Sequence, residues 1–418
     1  MKEKKLAIVL PGRQVGELTQ DRSGLTRWLP DASWEREGQH PRLGTEFLRA
    51  PGSKHAGTGL PAWFENLLPE VDSPLRRRLC AAYGLRLGQS FALLSALGHE
   101  LSGAVEAHSE SSSESAGDEA EIAADDDPET KSLVMERRFS ALAGMQLKFS
   151  MSMTNDRLAF PAHGKGGLWI VKLPGREFSD LPNVEHATMS WANAAGFDVP
   201  SHFVLASERL DGIPLGWTEE ATGAFAVKRF DRRDDGSKVH QEDLCQALDL
   251  LSGNKYGDVS PKITFEGALR FVADVCGEAE GREMARRMGF VIASGNGDAH
   301  LKNWSLLWGD ATKPTLTPCY DFVATIAWRR LGWSRSGGPE VALRFGGEHR
   351  FARLDATVVA THAQKSGLPW AEEETMAGIQ RARDAWAQVR EEAPALMRDA
   401  IVTHWASVPL LRAVGLSP

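Results

Sequence analysis

The chain has 418 residues, a formal net charge of −8 at pH 7, and 42% hydrophobic and 25% charged residues. This length predicts two or three domains with a sizeable hydrophobic core. The negative charge argues against strong, direct nucleic-acid binding by the whole chain, although it leaves room for a local basic patch.

The cysteines and the N-terminus indicate the compartment. The four cysteines are far apart and form no Cys-x-x-Cys pair, which argues against a zinc site or a disulfide framework and favours a reducing compartment. The apolar run near the basic N-terminus is too short for a signal peptide, and no stretch approaches a membrane span in length. The sequence therefore predicts a cytoplasmic protein without a membrane partner.

Residues 1–106 are predicted to form a small α+β unit. The runs KLAIVL and QVGELTQD flank PGR and predict a hairpin, and SPLRRRLCAAYGL and SFALLSALG predict helices. Residues 107–131 are Ser, Ala and acidic residues with almost nothing to bury, which predicts a disordered linker.

Residues 132–418 alternate between strand and helix patterns before helices dominate. Strands are predicted for LAGMQLKFSM, GLWIVKLP, SHFVLASERL and GAFAVKRFDR, and a helix ending at Gly196 for NVEHATMSWANAAGF. Helices are then predicted for QEDLCQALDLL, FEGALRFVADVC, GREMARRMGFVIA and TMAGIQRARDAWAQVREEA. The predicted fold is α+β, with a sheet-rich lobe at 132–232 and an all-helical lobe at 233–418, as in a bilobal protein kinase.

A crowded polar loop lies between an apolar helix and an apolar strand, in SGNGDAHLKNWSLLW at residues 294–308. Asp298 and Asn303 have the spacing that protein kinases use for the catalytic Asp and a magnesium-binding Asn. Asp321 follows after a strand and a turn, where kinases place a second magnesium-binding Asp, and magnesium prefers such oxygen donors. The same letters also fit a polar turn with a helix cap.

Two further features fit nucleotide binding. Lys172 stands in the apolar strand LWIVKLP, where an inward-pointing lysine needs a partner or a phosphate; the alternative is a strand-end lysine that reaches solvent. Glu185 in the next helix is the residue that could pair with it. The small-residue turn LAGMQLK could present backbone N–H groups to phosphates, and VKRFDR could present its backbone to an adenine edge.

The motifs together resemble the HipA family of serine/threonine kinases, the toxins of bacterial type II toxin–antitoxin modules. The resemblance rests on LAGMQLKFS, WIVKLP, VKRFDR, HQEDLCQAL, NGDAHLKNWSLL and CYDFVAT, which occur in this order. QVGELTQD, FENLLPE and ALLSALGHELSGAV resemble the N-terminal subdomain of the same family. The resemblance covers nearly the whole chain except the acidic segment.

The resemblance implies a role for each matching residue. Asp298 corresponds to the catalytic base, and Asn303 and Asp321 correspond to the magnesium ligands. Lys172 corresponds to the lysine on the ATP phosphates. The other residues matched to ATP binding are Ala143, Gly144, Met145, Gln146, Leu147 and Lys148 in the phosphate loop, Lys228, Arg229 and Phe230 in the adenine hinge, and His300 and Tyr320 beside the nucleotide.

One departure from the family concerns autophosphorylation. The family's inhibitory serine precedes the phosphate loop in the pattern Ser-Ile-Ala-Gly, but here Ala141 stands at that position, with Ser140 one residue earlier. The pattern therefore predicts either no autophosphorylation or a shift of the modified residue to Ser140.

The resemblance implies an ATP- and Mg²⁺-dependent protein serine/threonine kinase that arrests growth. It implies a HipB-type helix-turn-helix antitoxin as partner, contact with DNA only through that antitoxin, and an aminoacyl-tRNA synthetase as substrate. Two alternatives stay open: a small-molecule kinase of the aminoglycoside or choline kinase type, and a catalytically silent module that binds the antitoxin.

Overall fold

The computed structural model describes residues 3–37, 43–44, 56–109, 148–161, 166–174, 178–213, 223–259, 262–309, 313–328 and 338–415. The chain forms two compact units. The first unit comprises Met1–Ser179, Leu205–Ser252 and Leu307–Thr312, and the second comprises Asp180–Val204, Gly253–Leu306 and Lys313–Pro418. No helix among the described residues is long and apolar enough to span a membrane.

The first sheet of the first unit has five strands in the order β4-β3-β2-β1-β5. The strands are β1 (Lys4–Leu10), β2 (Arg13–Gln20), β3 (Leu25–Pro30), β4 (Ala56–Thr58) and β5 (Glu106–Ser109). The predicted hairpin is confirmed, because β1 pairs antiparallel with β2 around a turn in which Gly12 has a φ of 78°. Alternate residues of β1, namely Leu6, Ile8 and Leu10, point into the core.

The described residues of this part of the unit also include four helices. They are α1 (Ala32–Glu37), α2 (Ala62–Glu65), α3 (Pro74–Ala82) and α4 (Ser90–Leu97). Ser73 caps α3 by accepting the Arg76 N–H, and Pro74 stands at the first helical position, where its missing N–H costs nothing. The residue-106 boundary expected from sequence falls inside β5, whose Ala107 is buried and pairs with Ile8.

The second sheet of the first unit includes β6 (Lys148–Thr154), β7 (Arg157–Ala159), β8 (Trp169–Lys172), β10 (Leu210–Asp211) and β11 (Ala224–Lys228). These strands are neighbours in the order β10-β7-β6-β8-β11, and only the β10–β7 pair is parallel. Phe149, Val171 and Ala226 lie opposite one another on three adjacent strands and are fully buried. They form the apolar face of this sheet.

The second unit is mostly helical. Its helices are α5 (Leu181–Ala194), α7 (Phe265–Cys276), α8 (Glu278–Ser294), α9 (Ala356–Ser366), α10 (Ala371–Val389), α11 (Ala395–Ser407) and α12 (Pro409–Ala413). Helices α8 and α10 cross closely at two glycines: a Cβ on Gly289 would lie 2.1 Å from the Thr375 carbonyl oxygen, and one on Gly378 would lie 1.9 Å from that of Arg286. Trp191 lies within 6.2 Å of Phe290, Trp386 and Trp405 between ring centroids, which builds an aromatic core.

Two predictions for residues 233–418 are wrong. The region is not all-helical, because it also contains the strands β12 (His240–Asp243), β13 (Ser305–Trp308), β14 (Thr315–Leu316), β15 (Glu340–Phe345) and β16 (Glu348–Arg350). Strands β15 and β16 pair antiparallel, and Gly346 and Gly347, both with positive φ, form the turn between them.

The second error concerns QEDLCQALDLL, predicted as one helix. Its first residues belong to β12, and only α6 (Leu244–Ala247) is helical. Asp243 starts α6 with a reciprocal capping box to Gln246, and Asp249 follows with a φ of 52°, which ends the helical path. The remaining strand, β9 (His202–Leu205), lies where it was predicted.

Candidate functional site

The polar loop after α8 has a fixed backbone. Helix α8 ends at Gly295, whose φ is 64° and where a Cβ would lie 2.6 Å from the Ile326 side chain, so only glycine fits. The hydroxyl of Thr325 accepts the Gly297 N–H at 2.7 Å and donates to the Gly295 carbonyl oxygen at 3.2 Å. One threonine therefore ties both ends of the first turn of the loop.

Asp298 stands at the tip of this loop with an accessible carboxylate, 29% exposed. Its backbone N–H donates to Asn296 Oδ1 at 3.0 Å, and its Oδ1 accepts the hydroxyl of Tyr256 at 2.8 Å. The carboxylate is thus held by the Tyr256 hydroxyl while part of it faces solvent. Such an arrangement suits a group that must receive a proton from an incoming hydroxyl.

Asn303 closes the same loop onto Asp298. Its Nδ2 donates to the Asp298 carbonyl oxygen at 2.7 Å, and its backbone N–H donates to the His300 carbonyl oxygen at 2.8 Å. Because Nδ2 is used in this way, the amide presents Oδ1 as the atom for a cation. The five-residue spacing read from the sequence is therefore a closed turn with both side chains in fixed positions.

His300 is buried inside the loop. Its ring packs edge-on against Tyr256 with centroids 5.3 Å apart, and its Nε2 lies 3.9 Å from Asp298 Oδ1. Burial, followed by the charge of Lys255, holds the pKa of His300 well below its usual range, so the imidazole is neutral. Its buried Nδ1 has no hydrogen-bond partner among the described residues, which leaves a polar atom for a bound group to satisfy.

Lys255 and Tyr256 are site residues that the sequence reasoning missed. The Leu301 N–H donates to the Lys255 carbonyl oxygen at 2.9 Å, which holds this pair against the loop. Lys255 is buried, and its Nζ lies 5.4 Å from the centroid of the Tyr256 ring. The only sequence signal is a lysine and a tyrosine in the turn SGNKYGD, 42 residues before Asp298.

Asp321 and Tyr320 follow β14. Asp321 has a φ of 54°, a left-handed conformation that a non-glycine residue adopts at a cost, and such outliers concentrate at functional sites. The Tyr320 hydroxyl donates to the Lys302 carbonyl oxygen at 2.9 Å and lies 2.5 Å from Ser305 Oγ. The Asp321 carboxylate acts on His300 by raising its pKa, so Asp321 lies within electrostatic range of the loop.

These donors fit a magnesium ion chemically. Asp321 offers a carboxylate, and Asn303 offers an amide oxygen whose nitrogen is already committed, and both are hard oxygen ligands. The bound ion would neutralise charge on the oxygens of a transferring phosphoryl group.

A pair of lysines lies on the second sheet of the first unit. Lys148 on β6 and Lys172 on β8 are directly opposite in an antiparallel pair, so their side chains share a face. Lys172 is only 3% exposed, and its Nζ lies 5.4 Å from the centroid of the Phe225 ring. Like charges directly opposite in a sheet are destabilising, and an anion bound between them would offset the repulsion.

The three predicted hinge residues differ in what they expose. The Arg229 N–H donates to the Leu168 carbonyl oxygen at 2.8 Å, and its buried guanidinium binds Asp231 at 2.8 Å, Glu100 at 2.6 Å and Ser150 Oγ at 3.1 Å. Arg229 therefore offers a ligand only its carbonyl oxygen. Lys228 pairs with the exposed Asp234 at 2.6 Å, and Phe230 is half-buried.

The remaining predicted site residues are placed as follows. Glu185 is buried on α5, and its pairing with Lys172 stays a prediction. Outside the described residues lie Ser140, Ala143, Gly144, Met145, Gln146 and Leu147.

Known proteins resemble the chain along nearly its whole length. The family description "HipA-like C-terminal domain" matches residues 140–397, and "HipA N-terminal domain" matches residues 6–108. The chain is 33% identical over 428 residues to "Putative kinase Y4dM" of Sinorhizobium fredii, covering 97% of this chain and 98% of that protein. It is 30% identical over 421 residues to "Putative kinase Y4mE" of the same organism, covering 94% of each.

A solved structure shares the fold. It is the HipA chain of a Shewanella oneidensis toxin–antitoxin complex of HipA, HipB and operator DNA, which matches with a TM-score of 0.70 over 98% of this chain and 99% of that chain. The two sequences are 20% identical, so this likeness establishes the mixed α+β fold and no more.

Proposed function

The chain belongs to the HipA family, and on this premise we propose that it is an ATP- and magnesium-dependent protein serine/threonine kinase. The observation that carries the proposal is the loop in which Asn303 is bonded to the Asp298 carbonyl while the Asp298 carboxylate faces solvent beside Tyr256. A polar turn with only a capping role does not require a partly exposed carboxylate that accepts a hydrogen bond from a tyrosine 42 residues away.

Each residue has a defined task in this proposal. Asp298 accepts the proton of the attacking serine or threonine hydroxyl, and Tyr256 fixes the orientation of its carboxylate. Asn303 and Asp321 hold magnesium, which supplies charge neutralisation at the phosphoryl group.

The two lysines act on the nucleotide. Lys172 and Lys148 contact the phosphates, because their shared face of the sheet concentrates positive charge. Of the hinge residues, Arg229 contributes through its backbone carbonyl alone, because its other polar groups are occupied.

The direct test is phosphoryl transfer by Asp298→Asn. We expect transfer from labelled ATP to fall to background, while ATP binding with Mg²⁺ and the thermal unfolding midpoint stay close to wild type, because the change is nearly isosteric. Transfer at the wild-type rate would refute the base assignment. A chain that binds no nucleotide would instead indicate a silent antitoxin-binding module, and transfer to small hydroxylated compounds alone would indicate a small-molecule kinase.

The biological role follows from the family. We propose that the chain is a cytoplasmic toxin, neutralised by a HipB-type helix-turn-helix antitoxin that makes most of the DNA contact, in keeping with the net charge of −8. The proposed substrate is an aminoacyl-tRNA synthetase serine. Induced expression should arrest growth and deplete charged tRNA, and the antitoxin should restore growth. Normal charging during arrest would exclude a synthetase.

Regulation by phosphate stays a separate proposal. Phosphorylation of Ser140 would place about −2 charge beside the proposed phosphate loop, Ala143 to Lys148, and oppose ATP binding. Mass spectrometry of the chain incubated with Mg-ATP tests this, and an active kinase with an unmodified Ser140 would contradict it.

The domain layout that we propose differs from the sequence prediction at one boundary. The N-terminal subdomain, predicted as residues 1–106, extends to Ser109, because β5 ends there. The rest of the predicted linker, residues 110–131, lies outside the described residues. We propose residues 132–232 as the kinase N-lobe and 233–418 as the C-lobe.

A further inference from the structure

Three metal-binding side chains meet at the edge of the first sheet, and none of them has a role in the proposed kinase reaction. The ligand atoms of His99, Glu106 and His108 all lie within 4.8 Å of one another. Among the described residues of the chain, this is the one such group of histidine, cysteine and carboxylate side chains. From this geometry we infer a site for a divalent transition-metal ion such as Zn²⁺.

The backbone builds the cluster. Glu106 and His108 are alternate residues of β5, so they share one face, while Ala107 between them points into the core. The Ala107 N–H donates to the Gly98 carbonyl oxygen at 3.0 Å, and a Cβ on Gly98 would lie 1.9 Å from the Ala107 carbonyl oxygen. Because Gly98 lies so close to Ala107, the next residue, His99, is held beside the residues that flank Ala107.

The side chains are already near coordination distance. His108 Nε2 lies 2.9 Å from Glu106 Oε2, and the His99 and His108 rings meet edge-on with centroids 4.7 Å apart. Ligands of a tetrahedral zinc ion are roughly 3.3 Å apart, from metal–ligand distances of about 2.0–2.1 Å. Small side-chain rotations therefore suffice. Glu106 and His108 are about one-third exposed and His99 is exposed, so an ion can enter from solvent.

Lys238 supplies a supporting contact. Its Nζ donates to Glu106 Oε1 at 2.7 Å and to the His99 carbonyl oxygen at 2.6 Å, which orients two of the three ligand residues at once. It binds one carboxylate oxygen and leaves the other directed at His108.

The donor set decides which ion fits. Two imidazoles and one carboxylate suit zinc and its neighbours, whereas magnesium and calcium need several oxygen ligands. Three protein ligands leave the fourth tetrahedral position to water. The site uses no cysteine, so it is independent of the cysteine spacing that argued against a zinc site.

The test is metal titration of the full-length chain after treatment with a chelator. We expect one equivalent of Co²⁺ to bind with the visible absorption of a tetrahedral complex, and Zn²⁺ to displace it. His99→Asn and His108→Asn should each weaken binding by at least about tenfold, since even outer-shell partners are worth about ten- to a hundredfold. Saturating Zn²⁺ should raise the unfolding midpoint of the wild type but of neither variant.

The matched control is His349→Asn. His349 lies 3.7 Å from the Asp258 carboxylate, and this pair belongs to no group of three metal-binding side chains among the described residues. This variant should bind Co²⁺ as the wild type does. If the wild type binds no Co²⁺, or if both cluster variants bind Co²⁺ as tightly as the wild type, then His99, Glu106 and His108 do not form a metal site.

Discussion

The hydroxyl of Tyr256 donates to Oδ1 of Asp298 at 2.8 Å, although 42 residues separate them in the chain. The same tyrosine ring packs edge-on against His300. Tyr256 therefore fixes both the carboxylate proposed as the base and the buried imidazole behind it. In the reaction that we propose, Tyr256 positions the base and does not itself accept the proton.

Removal of this hydroxyl should slow the chemical step. In Tyr256→Phe we expect kcat for phosphoryl transfer to fall about ten- to a hundredfold, because a hydrogen bond to a charged group is worth about 1.5–3 kcal/mol. The KM for ATP should change by less than about twofold, because the hydroxyl contacts Asp298 and orients the base.

Steady-state kinetics of three proteins decide the point. Tyr83→Phe is the control, since Tyr83 caps α3 in the first unit and is one of only three tyrosines in the chain. Tyr83→Phe should behave as wild type. An unchanged kcat in Tyr256→Phe, or a loss confined to KM, would show that Tyr256 serves packing alone.

From the lysine pair on the second sheet, we expect the affinity for Mg-ATP to fall when either positive charge is removed. Lys172→Met should weaken Mg-ATP binding by at least about tenfold, because the substitution removes the buried ammonium group that is proposed to bind the phosphates. Lys148→Met should have a smaller effect, because Lys148 is less buried and its charge is better screened.

Isothermal titration with Mg-ATP measures both affinities. Lys5→Met provides the control, because Lys5 is a strand lysine of the first sheet that pairs with Glu17 at the surface. Equal, wild-type affinities for all three proteins would remove the lysines from the nucleotide site.

The sequence predicted the elements whose signal is local. The apolar repeat of GREMARRMGFVIA predicted α8, and the predicted polar loop after it contains the turn that the Asn303–Asp298 hydrogen bond closes. Contacts between distant segments leave no such signal. Tyr256 and Lys255 reach the loop through tertiary packing, and nothing in their spacing from Asp298 indicates it.

The burial of charged residues likewise depends on partners in distant segments. Charged residues are mostly exposed, yet Arg229, Asp231 and Arg232 in VKRFDR are each no more than 4% exposed. Glu100, which binds both arginines, lies 129 residues from Arg229, so the local sequence does not indicate this buried network. The sequence predicts a helix at Glu242, whereas the residue lies on β12, and its carboxylate is held by Trp63 and Gly44, which are far away in the chain.

The buried network predicts a large stability effect at one aspartate. Asp231 accepts bonds from Arg229, from Arg232 and from the Gly103 N–H. Burial opposes its charge, but the two guanidinium groups and this N–H lower the pKa of Asp231 to about 2. Asp231→Asn leaves buried guanidinium groups short of a counter-charge and should lower the free energy of unfolding by about 3–5 kcal/mol.

Denaturant unfolding tests this against a neighbouring aspartate. Asp234→Asn removes an ion pair with Lys228 in which the Asp234 side chain is 83% exposed, and it should cost no more than about 1 kcal/mol. If both variants lose no more than about 1 kcal/mol of unfolding free energy, Asp231 does not provide the counter-charge for Arg229 and Arg232.

Glu242 predicts how stability depends on pH. Its Oε2 accepts the Gly44 N–H at 2.7 Å and the Trp63 indole N–H at 2.8 Å, yet burial dominates and raises the pKa of Glu242 from 4.5 to about 7. Between these values the folded chain holds a proton that the unfolded chain releases. The contribution of protonated Glu242 to the free energy of unfolding is therefore complete below about pH 4.5, declines as the pH rises, and is lost above about pH 7.

Glu242→Gln removes this titration. The difference in unfolding free energy between wild type and variant should shift by about 3 kcal/mol from pH 4.5 to pH 8, to the disadvantage of the wild type at high pH. Denaturant unfolding at several pH values in that range measures this difference in free energy. Only its change with pH tests the prediction, because the amide itself can alter stability by an amount that does not depend on pH. Glu17→Gln, at a surface carboxylate paired with Lys5, supplies the reference profile. Parallel profiles of the wild type and Glu242→Gln would show that the folded chain holds Glu242 ionised throughout.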